Sequence, residues 1–150
     1  MYKSQLKKQK KYVRPTQTYT DVLTDDQIKS KLENYIKVTD VSNLQKDTHI
    51  RYYNITMDKK TKSIKKDFRL GGFLLQKGGG ANPEYIVLTN GHVNWSVQTA
   101  DAVLYRKLTV DEVKDQYDIF IDQLKEANRK LYQQNKKFKD LLKKHRIDYH

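Results

Sequence analysis

The chain has 150 residues, 30 of them Lys or Arg against 18 Asp or Glu, for a net charge of +12 and no cysteine. The missing cysteines exclude a disulfide framework, a thiolate zinc site and a cysteine nucleophile. At 37% the apolar fraction is below the usual ~45–50%, which leaves material for one small core.

Charge divides the chain into four segments. Residues 1–14 carry +6, residues 15–46 carry −1, residues 47–108 carry +5 and residues 109–150 carry +2. No apolar run approaches the ~20 residues of a membrane span, so no membrane insertion is expected. The start, MYKSQLKKQKKYVRP, is charged but has no apolar stretch behind it. A signal peptide is therefore not expected, and neither is secretion.

The first segment reads as a disordered basic arm, because apolar residues are sparse and like charges repel. Pro15 and the threonines Thr16, Thr18 and Thr20 extend it as a linker to residue 23. A short helix follows. Thr24 and Gln27 have capping-box spacing, and Asp25 and Asp26 sit where the helix dipole favours negative charge. Ile28, Leu32, Tyr35 and Ile36 share one helical face, which carries the expected helix to about Val38.

Residues 48–107 read as five short antiparallel strands in a small barrel-like unit, either a partly open barrel or a strongly curved sheet. THIRYYNIT is rich in β-branched and aromatic residues. The polar stretch MDKKTKSIKKD reads as a loop. In FRLGGFLLQK the apolar alternation of Phe68 and Leu70 resumes at Phe73 and Leu75, slipping by one residue across Gly71-Gly72. That slip points to a β-bulge or a sharp bend. EYIVLT and HVNWSVQ flank Asn90-Gly91, a pair that suits a two-residue hairpin turn. AVLYRKL closes the unit.

From Thr109 the pattern changes period. Thr109 and Glu112 form a second capping-box pair. Val110, Tyr117, Leu124, Leu131 and Phe138 then hold one heptad position, and Val113, Phe120, Ala127, Gln134 and Leu141 the other. Five heptads in phase predict a coiled-coil helix over 109–150. Acids exceed bases by 6 to 2 over residues 109–126, and bases exceed acids by 8 to 2 over 127–150. Parallel pairing would stack like ends together, so this grading favours an antiparallel or staggered partner.

No motif points to catalysis. His49, His92, His145 and His150 have no metal-ligand spacing. His49 and His92 read as surface or turn residues. Ser96 lies mid-strand rather than on a nucleophile elbow, and neither glycine cluster is followed by the GK[ST] of a phosphate loop. The chain is read as non-enzymatic, with no cofactor and no metal.

The best functional candidates are cations. Lys59, Lys60, Lys62, Lys65 and Lys66 lie between two strands, and Lys7, Lys8, Lys10, Lys11 and Arg14 lie in the arm. Such groups can contact phosphates of DNA or RNA without reading bases. Lysine in place of arginine argues against bidentate base readout. The bland reading of the same residues is a solvated hairpin tip and a targeting or docking tail. Self-association is assigned to Tyr117, Phe120, Leu124, Ala127, Leu131, Gln134, Phe138 and Leu141, giving a homo-oligomer through 109–145. Trp95 reads as core. Tyr53 and Tyr105 are weaker candidates for exposed stacking, and a reader of modified histone lysines would need an exposed cage around Trp95 or Tyr53.

The run HIRYY…FRLGGFLL…YIVLTNG…WSVQ…LYRKL resembles a family of small, mostly uncharacterised basic proteins of large DNA viruses of eukaryotes, the giant-virus group. It rests on Ile50, Arg51 and Tyr52; on Phe68, Arg69, Gly71 and Gly72; on Tyr85, Leu88, Asn90 and Gly91; and on Trp95, Ser96, Val97 and Gln98. It covers roughly residues 24–108, and it brings no catalytic residues with it. What it implies is a viral context, in a virus factory or virion inside an infected cell.

The expected fold is thus α+β: a disordered basic arm and linker over 1–23, a helix plus small β unit over 24–108, and a coiled-coil helix over 109–150. The leading expectation is an oligomer that binds nucleic acid non-specifically, for genome packaging or virion assembly. The alternative is a structural adaptor whose coiled coil and β unit bind other proteins, such as capsid or core proteins.

Overall fold

The computed structural model describes residues 13–145. It forms two compact units, divided between Lys107 and Leu108. The class is α+β, as expected, but the sheet has six strands rather than five and does not close into a barrel. Six antiparallel strands form one open sheet. They are β1 (Tyr35–Lys37), β2 (His49–Met57), β3 (Ile64–Gly78), β4 (Tyr85–Thr89), β5 (Asn94–Gln98) and β6 (Ala102–Lys107). Their order is β1-β6-β2-β3-β4-β5, with β1 and β5 as edges.

The sixth strand comes from sequence read as helix. Helix α1 (Asp25–Lys31) starts as predicted, with Thr24 and Gln27 closing a reciprocal capping box. It ends at Lys31, well short of Val38. Asn34 takes the left-handed conformation at φ 62°, a common way to leave a helix. Tyr35–Lys37 then pair with Lys107–Tyr105. The helical spacing of Tyr35 and Ile36 is overridden by a partner strand about seventy residues away in sequence.

The linker is also more ordered than expected. Tyr19–Val22 form a 3-10 turn capped by Thr18 and Asp21. Arg69 Nη1 donates to Thr20 Oγ1 at 2.9 Å and to Asp21 Oδ1 at 3.0 Å, fastening the turn to β3. The Asp21 carboxyl is held well below its usual range by hydrogen bonds from Thr18 and then by Arg69. At the far end of α1, Arg51 Nη1 donates to the Lys31 carbonyl, with the guanidinium 4.8 Å from the Tyr35 ring centroid.

The Gly71 slip is a real bulge. Leu70 and Gly71 of β3 together stand opposite the single residue Arg51, between the pairs Tyr52–Arg69 and Ile50–Gly72. Gly71 has φ +71°, and a Cβ there would lie 1.6 Å from the Ile50 carbonyl oxygen. The extra residue keeps Phe68 and Phe73 on one face although five positions separate them. A second extra residue, Leu75, falls between the pairs Leu74–Leu88 and Gln76–Val87.

The bulges sort the side chains into two faces. One face is the core, built from Leu44, Ile50, Tyr52, Leu74, Ile86, Leu88, Val97 and Leu104. Trp95 packs against it, and its Nε1 donates to Tyr52 Oη at 3.2 Å. The Lys77 ammonium donates to the carbonyls of Ser42 and Leu44, drawing that segment to the sheet. The other face carries aromatic contacts: Tyr53 with Phe68 at 5.4 Å and with Tyr105 at 6.0 Å, and His49 with Phe73 at 5.0 Å.

The hairpin at Asn90-Gly91 is present with a longer turn than two residues. Thr89 pairs with Asn94, leaving a four-residue loop. Gly91 supplies the positive φ, while Asn90 Oδ1 accepts from the backbone N–H of His92 and Val93. That side-chain ring replaces the second positive-φ residue of the expected turn.

The second unit is helix α2 (Val110–Lys144), capped by the predicted Thr109–Glu112 box. Its 35 residues span roughly 50 Å.

Candidate nucleic-acid interface

The lysine-rich stretch is a β-ribbon rather than a loop. Strand β6 pairs with β2 only as far as Asn54. Beyond it, Ile55, Thr56 and Met57 pair only with Lys66, Lys65 and Ile64 of β3. This two-stranded arm runs on for roughly 10 Å past the last β6 partner before it turns. Lysine is a poor strand former, so composition hid the ladder.

The turn at the tip is tightly organised. Asp58 N–H donates to the Ser63 carbonyl at 3.0 Å, and Lys62 N–H to the Asp58 carbonyl at 2.8 Å. Asp58 Oδ1 accepts from Lys60 N–H at 2.8 Å, and that bond, followed by hydrogen bonding from Thr61, lowers the Asp58 pKa. Lys62 sits at φ 53°. The tip therefore presents Lys59, Lys60 and Lys62, all exposed, from a fixed turn.

Lys65 and Lys66 are not part of that tip. As neighbours in β3 they point to opposite faces of the ribbon. Lys65 also makes an ion pair with Asp67 at 3.2 Å. Arg14 lies at the root of the arm, lining a polar groove of ≈ 460 Å³ with Lys65, Asp67, Arg69 and Asp21. Asp21 and Asp67 offset two of that groove's three cations, whereas at the tip Asp58 offsets one of three. Arg69 is the residue that sequence reasoning missed as an organiser here. Its partners Thr20 and Asp21 lie 49 and 48 positions away, beyond any local signal. Lys7, Lys8, Lys10 and Lys11 lie outside the described residues.

The aromatic candidates are already in use. Trp95 is half-buried against the core, and Tyr53 and Tyr105 are half-buried and pack edge-on to each other. Neither Trp95 nor Tyr53 opens the cage that a modified-lysine reader requires. His49 opens β2 rather than lying in a turn. It is half-buried, with Nδ1 3.0 Å from Tyr35 Oη. Burial pulls its pKa down, and Arg51 and Lys107 add to the effect.

Among the described residues, no group of three His, Cys, Asp or Glu side chains is arranged to hold a metal. No described helix is long and apolar enough to cross a membrane.

On α2, the heptad residues Tyr117, Phe120, Leu124, Leu131, Phe138 and Leu141 are each about half or more exposed, and Ala127 and Gln134 are exposed with them. The stripe is therefore present and unpaired within its own unit. Helix–helix pairing itself is not part of the structure.

These features define an α+β protein with an open six-stranded antiparallel sheet, a cationic ribbon and a long amphipathic helix. No family profile matches the chain, and no solved structure does. The chain is 35% identical over 122 residues to Uncharacterized protein L202 of Acanthamoeba polyphaga mimivirus, covering 81% of this chain and 76% of that protein. It belongs to that protein's family, and the resemblance to giant-virus proteins holds.

Proposed function

We propose that this protein is a non-enzymatic oligomer that binds nucleic acid without sequence preference, in genome packaging or virion assembly. The observation behind it is the β2–β3 ribbon, which carries Lys59, Lys60 and Lys62 beyond the sheet on a hydrogen-bonded turn. A fixed turn positions ammonium groups against phosphates without ordering a long loop on binding. Lysine point charges suit backbone contact rather than base readout. Lys7, Lys8, Lys10, Lys11 and Arg14 add charge to the same chain, and oligomerisation through α2 would let weak contacts act together.

The exposed stripe of α2 favours a second reading, a structural adaptor that docks a helical partner or a capsid or core protein. Salt dependence separates the two. Each phosphate neutralised contributes about −0.9 to the slope of log affinity against log salt. Replacing Lys59, Lys60 and Lys62 by Gln should flatten that slope by up to about 2.7 per arm. The assay is random-duplex binding by fluorescence anisotropy from about 50 to about 200 mM salt. A variant lacking residues 1–14, measured alongside, assigns the share of the basic arm. Absence of binding at the lowest salt would overturn the proposal and leave the adaptor reading. An unchanged slope in the triple variant would remove the ribbon from it.

A further inference from the structure

We infer that α2 pairs with α2 of a second copy, antiparallel and in one register, with Leu124 facing the partner's Ala127. This deepens the oligomeric part of the proposed function and rests on it.

Two independent features of the helix point to the same occupant. The first is charge. Over residues 110–126 acids outnumber bases by six to two, and over 127–144 bases outnumber acids by seven to one. A second copy laid antiparallel places each acidic half beside a basic half. A parallel copy places two strongly basic halves together. All of these charges lie outside the apolar stripe, so they act over distances near the Debye length and are screened by salt.

The second feature is side-chain size. Antiparallel packing turns one heptad position of a helix toward the other position of its partner. With Leu124 on the partner's Ala127, Phe120 meets the partner's Leu131 and Val113 meets the partner's Phe138. Large residues then face smaller ones along the seam, which suits knobs-into-holes packing. The polar position is also satisfied. Gln134 falls opposite the partner's Tyr117, so an amide and a phenol, each able to donate and accept, share one layer. Every layer occurs twice, related by a two-fold axis between residues 125 and 126, as an isologous dimer requires. A parallel pair in register would instead set Phe120 on Phe120, Phe138 on Phe138 and Ala127 on Ala127. Crowded layers would alternate with a void, at a cost from overpacking and cavities.

The natural chain has no cysteine, so single cysteines report orientation directly. Tyr117→Cys and Gln134→Cys full-length proteins are mixed, equilibrated and oxidised, and each is also oxidised alone. The antiparallel register predicts a disulfide-linked product of twice the chain mass in the mixture and none from either variant alone. Self-linked Tyr117→Cys product would overturn the orientation. The unmodified protein provides the second readout, by sedimentation equilibrium. Antiparallel pairing predicts a dimer whose dissociation constant rises with salt, whereas one that falls with salt would overturn the proposal. So would a single-chain mass at all concentrations. None of these results depends on DNA, so the salt slope of the Lys59/Lys60/Lys62 variant judges phosphate binding separately.

Discussion

Gly71→Ala probes the bulge that sorts the sheet's two faces. Two costs combine at this position. At φ +71° an L side chain carries a left-handed penalty of roughly 1–2 kcal/mol. The new Cβ would also lie 1.6 Å from the Ile50 carbonyl oxygen, which is backbone and cannot rotate away. Strand β2 must then shift, and overpacking of this kind costs about 1–3 kcal/mol or more. Gly80→Ala is the matched control, because it has φ +76° with nothing within 4 Å of its Cβ. The two variants share the conformational penalty and differ in the overlap. A domain of this size loses roughly 4–8 °C in Tm per kcal/mol. Gly71→Ala should therefore melt about 5–20 °C below Gly80→Ala. Trp95 is the sole tryptophan and sits against the core, so its fluorescence reports the transition. Equal melting temperatures for the two variants would show that Leu70 and Gly71 do not form a close bulge over Arg51.

Two further expectations concern the first unit. Leu88 has no exposed surface, so Leu88→Ala should lower the unfolding free energy by roughly 2–5 kcal/mol in urea denaturation; a loss below about 0.5 kcal/mol would mean that β4 does not carry the core. His49 titrates below its ordinary value in the folded chain because it is half-buried beside Arg51 and Lys107. The unfolded chain then binds more protons between the two pKa values, so stability is lost as pH falls below about 6.5. Unfolding free energies measured at about pH 7.5 and about pH 5.5 should show this loss in the natural protein and a smaller one in His49→Gln.

What was legible in the sequence was mostly local. The capping boxes at Thr24 and Thr109 each close within four residues, and both appear where their spacing placed them. The slip across Gly71-Gly72 announced the bulge because period two allows no other way to keep Phe68 and Phe73 together. Misses came from partners far along the chain. Ile36 sits at helical spacing from Ile28 and Leu32, yet its neighbour is Arg106 of β6. The ladder of Thr56 with Lys65 was hidden because the pairing is set by the neighbouring sheet, not by lysine's preference. Asn90 closes its turn with a side-chain oxygen, which a rule based on backbone angles alone does not capture. The candidate lysines were visible as charge. Their division into a tip trio and two residues on opposite faces required the register.

The position of β6 has a consequence for synthesis. It is last of the strands in the chain but lies between β1 and β2 in the sheet. Strands β2 to β5 follow one another as neighbours and can assemble as they emerge. Until Ala102–Lys107 has left the ribosome, however, β1 has no partner and one side of β2 lies open beside the apolar Ile50 and Tyr52. A nascent chain halted before residue 102 therefore leaves that edge of β2 unpaired, an exposed edge of the kind that invites association.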